Sequence, residues 1–199
     1  SIYSHQETGL ACTYERDQMV DEFCTSMGIR WNEFTNQGVF RGLSDRKNWR
    51  KKWSQFMSEP IQSWEATKRS FVSISEIDMI GIDGYGSAIS STGQTRQKGG
   101  TKRGLAYLNS FISSRHKSYQ NSISKPELSR KACSRLSPYI AWGNLSVRYV
   151  WQTAEKAKRN GASRFQLNAF TSRLRWQAHF IQKFEMEDRM EFESINKGY

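Results

Sequence analysis

The chain is short of proline, cysteine and histidine, with three of each in 199 residues. Cys12, Cys24 and Cys133 are widely spaced and contain no CxxC pair, so neither a closed disulfide framework nor a thiolate zinc site is expected. His5, His116 and His179 lie far apart without ligand spacing, and no metal is predicted. No apolar run approaches the roughly 18 residues of a membrane span, and no basic-then-apolar segment opens the chain as a secretory signal does. Together these features predict a reducing, cytoplasmic setting. Acids are also missing from much of the second half. Between Arg96 and Lys183 only Glu127 and Glu155 face 18 Lys/Arg.

What is present is cationic and aromatic. Residues 1–90 hold 10 Lys/Arg against 12 Asp/Glu, a net of −2. Residues 91–199 hold 20 against seven, a net of +13. A field segregated in this way attracts polyanions. Nucleic acid is the first partner it suggests and an anionic membrane surface the second; a plain basic face is the bland alternative. Seven Trp, eight Tyr and 11 Phe can build a packed core, and the length suits one large domain or two small ones.

The N-terminal stretch "SIYSHQETG" reads as a short strand running into a loop. "TYERDQMVDEFCTSMGI" reads as an amphipathic helix with Tyr14, Met19, Val20 and Phe23 on one face and Gly28 as its stop. "IRWNEF" and "GVFRG" read as short extended segments. "SDRKNWRKKWSQFMSEP" reads as a helix capped by Ser44 and ended at Pro60. Residues 81–100 carry six of the 14 glycines and a Ser-rich patch, a composition that marks a linker. Beyond it the pattern is helical. Leu105, Leu108, Phe111 and Ile112 share one face. A helix is predicted from Ser146 to Gly161, and Leu167, Phe170, Leu174, Ala178 and Ile181 form a 3–4 stripe. The acidic tail is predicted to continue that last helix. Trp142, Tyr149 and Trp151 read as core.

The stretch "SRLSPYIAWGNLS" at 134–146 carries chemistry. Ser137 before Pro138 is a helix-start signal, and Gly143 is placed to end that helix after about one and a half turns. Helix starts hold unpaired N–H groups and a partial positive charge. Ser134, Arg135, Leu136 through its backbone and Ser137 could cradle a pyrophosphate there. On local chemistry alone an ordinary helix cap is the favoured reading.

"SRLSPYIAWGNLSVR" resembles the flavin-binding run of the DNA photolyase and cryptochrome family. Further pieces resemble it in the same order. "TYERD" and "GVFRGLSDRKNWRKKWSQFMSEP" are similar to the end of the family's α/β domain. "GGTKRGLAYLNSFI" is similar to the helix opening its flavin domain, and "SRLRWQAHF" to a later helix of that domain. The likeness covers nearly the whole chain and is most specific at 134–148. It implies a mainly α fold: a small α/β remnant at 1–80, the linker at 81–100, and the N-terminal half of a helical FAD-binding domain at 101–199. The family's proteins are much longer, so the resemblance implies a piece that by itself holds FAD weakly.

Carried over residue by residue, the resemblance places FAD phosphates on Cys133, Ser134, Arg135, Leu136 and Ser137, with Cys133 where the family has threonine. It places Tyr119 against the flavin. Trp176 takes the place of a tryptophan that stacks on a flipped pyrimidine dimer, with Arg175 beside it on the DNA. Arg173 and Gln177 stand at two flavin- or lesion-facing positions where the family usually has Glu or Gln and Arg, which marks a divergent branch. The implied activity is light-dependent repair of cyclobutane pyrimidine dimers in double-stranded DNA, a carbon–carbon lyase reaction, with no obligate protein partner. A cryptochrome-type photoreceptor without repair and a flavin-free basic nucleic-acid-binding module are the competing functions. On the residues alone, Trp176 fits helix packing as well as base stacking, and Arg173 and Arg175 fit a solvated face.

Overall fold

The computed structural model describes residues 1–62, 97–196 and 198. The expected linker therefore lies mostly outside the described residues. Two short strands, β1 (Ile2–His5) and β2 (Trp31–Phe34), pair in parallel with Ile2 opposite Trp31 and His5 opposite Phe34. Helix α1 (Ala11–Ser26) joins them, as a parallel pair requires a crossover. "GVFRG" forms no strand; Gln37, Gly38 and Gly42 take positive φ and fold it into turns.

The rest is helical: α2 (Trp49–Ser58), α3 (Thr101–Ser113), α4 (Tyr119–Ser122), α5 (Pro126–Ala132), α6 (Ser137–Ala141), α7 (Val147–Arg159) and α8 (Arg164–Met186). The mainly α expectation holds. Helix α7 starts where predicted because Ser146 Oγ accepts the Tyr149 amide at 3.0 Å, and Gly161 at φ +91° lets the chain turn after it. Helix α2 begins later than predicted. Asn48, not Ser44, occupies its N-cap, and neither residue's side chain caps it. The tail does not extend α8, which ends at Met186; Asp188–Glu191 forms one 3-10 turn.

Leu108, Phe111, Leu167, Phe170, Leu174 and Ala178 are buried as their spacing predicted. They share one core with Val39, Trp49, Trp53 and Met57 from the first third of the chain. Trp53 stands edge-on to Trp151 at 6.2 Å, so Trp151 packs as expected. Trp142 does not: it is 83% exposed, because the turn at Gly143 points it away from the core.

Helix α1 also departs from its pattern. Met19 and Phe23 are exposed, while Asp17 and Cys24 are its buried residues. Burial raises the Asp17 carboxyl, but hydrogen bonds and charge from Arg16 and Arg41, each 2.7 Å away, outweigh it and hold Asp17 below its ordinary value. Arg41 in turn donates to the Glu7 carbonyl at 2.6 Å and lies over the Tyr14 ring. A polar node thus docks α1 where the apolar stripe was expected to. A second polar lock joins the loop after β2 to α8. Gln182, fully buried, accepts from the Phe40 amide at 2.8 Å and donates to the Phe40 carbonyl at 2.9 Å.

Gly38 is the tightest point of that loop. Its φ is +72°, and a Cβ there would lie 2.6 Å from the Trp53 ring. Gly38→Ala should therefore destabilise the protein by about 1–3 kcal/mol, through positive φ and overpacking of a buried indole. Urea unfolding checks this; an unchanged midpoint would show that Trp53 yields freely.

Candidate functional site

The region singled out by sequence forms a loop between α5 and α6. Cys133 is extended, Arg135 sits at φ +59°, and Leu136 returns to the helical region at φ −94°, ψ −13°. Left-handed backbone at a non-glycine costs roughly 1–2 kcal/mol, and such strain persists where neighbours over-determine it. Those neighbours are visible. Leu136 and Tyr139 are buried plugs, and the Tyr139 hydroxyl donates to the Lys98 carbonyl at 2.7 Å. Gln97 Nε2 donates to the Arg135 carbonyl at 2.7 Å.

Arg115, from the 3-10 turn Arg115–Ser118 that follows α3, does most of the holding. Its Nη1 donates to the Cys133 carbonyl. Its Nη2 donates to the carbonyls of Tyr107 at 2.7 Å and Ser134 at 3.3 Å. Its Nε donates to Ser110 Oγ at 3.0 Å. The guanidinium carbon lies 5.9 and 5.7 Å from the Tyr107 and Phe111 ring centres. Three successive carbonyls, 133 to 135, are thereby engaged by side chains. The amides of residues 134 to 137 meet no protein acceptor among the described residues. A left-handed residue followed by a right-handed one arranges successive N–H groups into a concave anion-binding nest. Ser137 does not cap α6 with its side chain, contrary to the sequence reading; the helix N-cap is Leu136. The Ser137 hydroxyl is thus not spent on capping α6.

Tyr119 is a core residue, 5% exposed and edge-on to Phe111 and Phe170 at 5.5 and 5.7 Å. Burial pushes its phenol up to about 12, with the Arg173 charge pulling down and Cys133 adding to the rise. Arg173 and Cys133 thus both lie within electrostatic reach of the Tyr119 phenol. Gln177 does not join them: its Nε2 reaches Gln37 Oε1 at 3.5 Å.

Arg175 and Trp176 help to line a second feature, a 520 Å³ cleft between α2 and α8 that also includes Arg46, Trp49, Arg50, His179 and Phe180. Arg173 lies 5.7 Å from the Trp176 ring centre and so adjoins both features. Sequence reading missed Arg115 and Gln97, since one basic residue in "SSRHKS" carries no signal of its own. It also gave no role to Arg46, Trp49 and Arg50, although "RKNWRKKW" interleaves cations with aromatics. Among the described residues no His/Cys/Asp/Glu cluster could hold a metal, and no described helix is long and apolar enough to cross a membrane.

No protein-family model matches the chain, and no curated protein matches it in sequence. Solved structures do. A bacterial class III photolyase from Agrobacterium tumefaciens superposes with a TM-score of 0.65 at 14% identity, over 98% of this chain and 42% of that one. A cryptochrome from Synechocystis sp. PCC6803 superposes with a TM-score of 0.62 at 16% identity, over 95% of this chain and 42% of that one. The fold is that of photolyases and cryptochromes. At these identities the likeness is one of architecture, and the chain spans under half the length of either structure. Within this photolyase-type fold, the strained 133–137 loop and the α2–α8 cleft are the candidate sites that hold the sequence-predicted residues.

The buried phenol of Tyr119 gives a pH test. Between pH 10 and about 12 the unfolded chain releases a proton that the native state still holds, so the native state binds more protons and stability falls as pH rises. Tyr119→Phe should flatten that fall. Urea midpoints across the interval check it, and parallel curves for the two proteins would place the Tyr119 hydroxyl in water.

Proposed function

We propose that this chain carries the phosphate-binding part of a flavin site and acts, within a photolyase-type protein, in light-dependent repair of cyclobutane pyrimidine dimers. The observation that carries the reading is the 133–137 loop, whose strained Arg135 and engaged carbonyls leave the amides of residues 134 to 137 without a protein acceptor among the described residues. Those groups fit the phosphates of FAD. FAD, when bound and excited, supplies the electron transfer; the protein's contribution is position and electrostatics.

The chain's own residues divide the remaining work. Ser134 and Ser137 offer hydroxyls beside the amides, and Arg135 adds a full charge at the rim. Cys133 replaces a hydroxyl donor with a weak thiol donor. Arg115 holds the loop carbonyls so that the amides stay presented. On this reading Tyr119 and Arg173 would border the flavin ring, Tyr119 from beneath, since it is 5% exposed. Trp176 and Arg175 would meet the DNA, an aromatic plane and a cation of the kind that stack bases and bind phosphate. A damaged pair costs less to unstack, which favours its capture from the duplex. A photoreceptor role without repair is the second reading, favoured by Arg173 and Gln177 standing where the resemblance expects different side chains.

Reconstitution tests the flavin part. Titrated with FAD, the protein should bind it weakly but saturably, as a piece of the site would. Arg115→Ala should weaken FAD or ADP binding at least about tenfold, roughly 1.4 kcal/mol, as read by calorimetry. No saturable binding of FAD or ADP, or equal ADP affinity in the variant, would overturn the cradle. Dimer-containing DNA restored in light but not in darkness separates repair from photoreception.

A further inference from the structure

Residues 97–100, which lead into α3, touch the 133–144 region at three points. Gln97 Nε2 donates to the Arg135 carbonyl at 2.7 Å, the Tyr139 hydroxyl donates to the Lys98 carbonyl at 2.7 Å, and the Gly100 amide donates to Asn144 Oδ1 at 3.1 Å. The partners are 38, 41 and 44 positions apart, so the two segments run side by side in the same direction. Little else holds the first of them. Lys98, Gly99 and Gly100 are exposed, and a Cβ added at Gly99 or Gly100 would meet nothing within 4 Å. Gly100, at φ +96°, is the N-cap of α3 and lets the segment bend away from that helix. Helix α3 itself is firmly seated: a Cβ at Gly104 would lie 3.0 Å from Leu145 and 3.2 Å from Tyr139. A glycine-hinged strap thus joins a fixed helix, held across the loop by three hydrogen bonds of modest net strength. Its anchor on the other side is equally specific. The Tyr139 ring is buried beside Tyr107 at 5.7 Å, and its hydroxyl is the one part that reaches the strap.

We propose that residues 97–100 are a latch on the anion cradle, in which Gln97 and Tyr139 act as positioning residues, and that latch docking and anion binding favour each other. The inference rests on the cradle proposed above and adds the segment that governs it. The coupling is built into one peptide plane. The Arg135 carbonyl and the Leu136 N–H belong to the same planar unit and point to opposite sides of it. Gln97, by holding the carbonyl, sets the direction of the N–H, and an anion that accepts from the N–H holds the same plane from the other side. Both require Arg135 in its left-handed conformation, at φ +59°. Two contacts that select one backbone state strengthen each other, and by the same factor in each direction.

ADP is the probe, since it carries two phosphates and no flavin ring. Gln97→Met and Tyr139→Phe each remove one latch bond and keep the side-chain bulk. Each should weaken ADP binding about three- to tenfold by calorimetry, the fold-change of one net hydrogen bond. Gln97 lies outside the core, so Gln97→Met stays decisive if Tyr139→Phe loses stability; circular dichroism confirms folding of both. A second readout is local. Saturating ADP should slow tryptic cleavage after Lys98 by a similar factor, followed by mass spectrometry, and leave cleavage after the exposed Lys47, in the turn before α2, unchanged. In both variants the protection at Lys98 should shrink. Wild-type protein that binds no ADP removes the cradle and the latch with it. Wild-type binding that both variants keep at full strength leaves the cradle standing and overturns the latch. Equal slowing at Lys98 and Lys47 does the same, because the ligand then stabilises the whole fold and not the strap.

Discussion

The Arg115 guanidinium is the interaction on which the site region depends. It is a partly buried charge with no carboxylate beside it among the described residues, and burial, the largest influence on it, holds it below its ordinary value. A charge so placed is tolerated only when its N–H groups are well engaged. Carbonyls of Tyr107, Cys133 and Ser134, one serine hydroxyl and two aromatic faces do this. The consequence runs outward. Carbonyls committed to Arg115 fix the peptide planes of the loop, and a fixed plane with its oxygen taken presents its N–H on the opposite side. The strain at Arg135 is held in place by this arrangement, together with Gln97 and the buried Leu136.

Much of the helical framework was legible because it obeys local rules. The stripe of Leu167, Phe170, Leu174 and Ala178 packs as its spacing demands, and Ser146 caps α7 with its own hydroxyl. The exceptions have a common physical cause. On α1 the buried side is set by Asp17 and its two arginines rather than by Met19 and Phe23, since a pair formed with Arg41, 24 positions away, leaves no periodic trace. Ser137 looked like a cap because Ser-Pro is a strong local signal, yet Leu136 has entered the helical region one residue earlier. Trp142 looked like core because tryptophan usually is; the Gly143 turn decides otherwise.

The candidate site was half legible for the same reason. The stretch 133–137 stood out through residue types that announce backbone geometry. Arg115 did not, because one arginine among many in a basic half-chain cannot show whether it faces solvent or carbonyls. Arg173 and Tyr119 were named by resemblance, and the closeness of Arg173 to Tyr119 came only from the packing of α4 against α8.

Charge separates the two features further. The +13 balance of residues 91–199 invites a single explanation, a surface that attracts polyanions, yet the cations differ in what meets them. Arg148 pairs with Glu59 at 2.8 Å and lies over the Phe56 ring, pinning α7 to the end of α2. Arg115 is spent on carbonyls inside the protein and has little left to offer a ligand. Arg46, Arg50 and Arg175 meet neither acid nor carbonyl among the described residues. Two of these three come from the net-negative first half, so this cluster of unpaired charge is made by folding and is invisible to a count along the chain. A basic surface of this kind draws anions at long range, and the proposed cradle would decide where one is held.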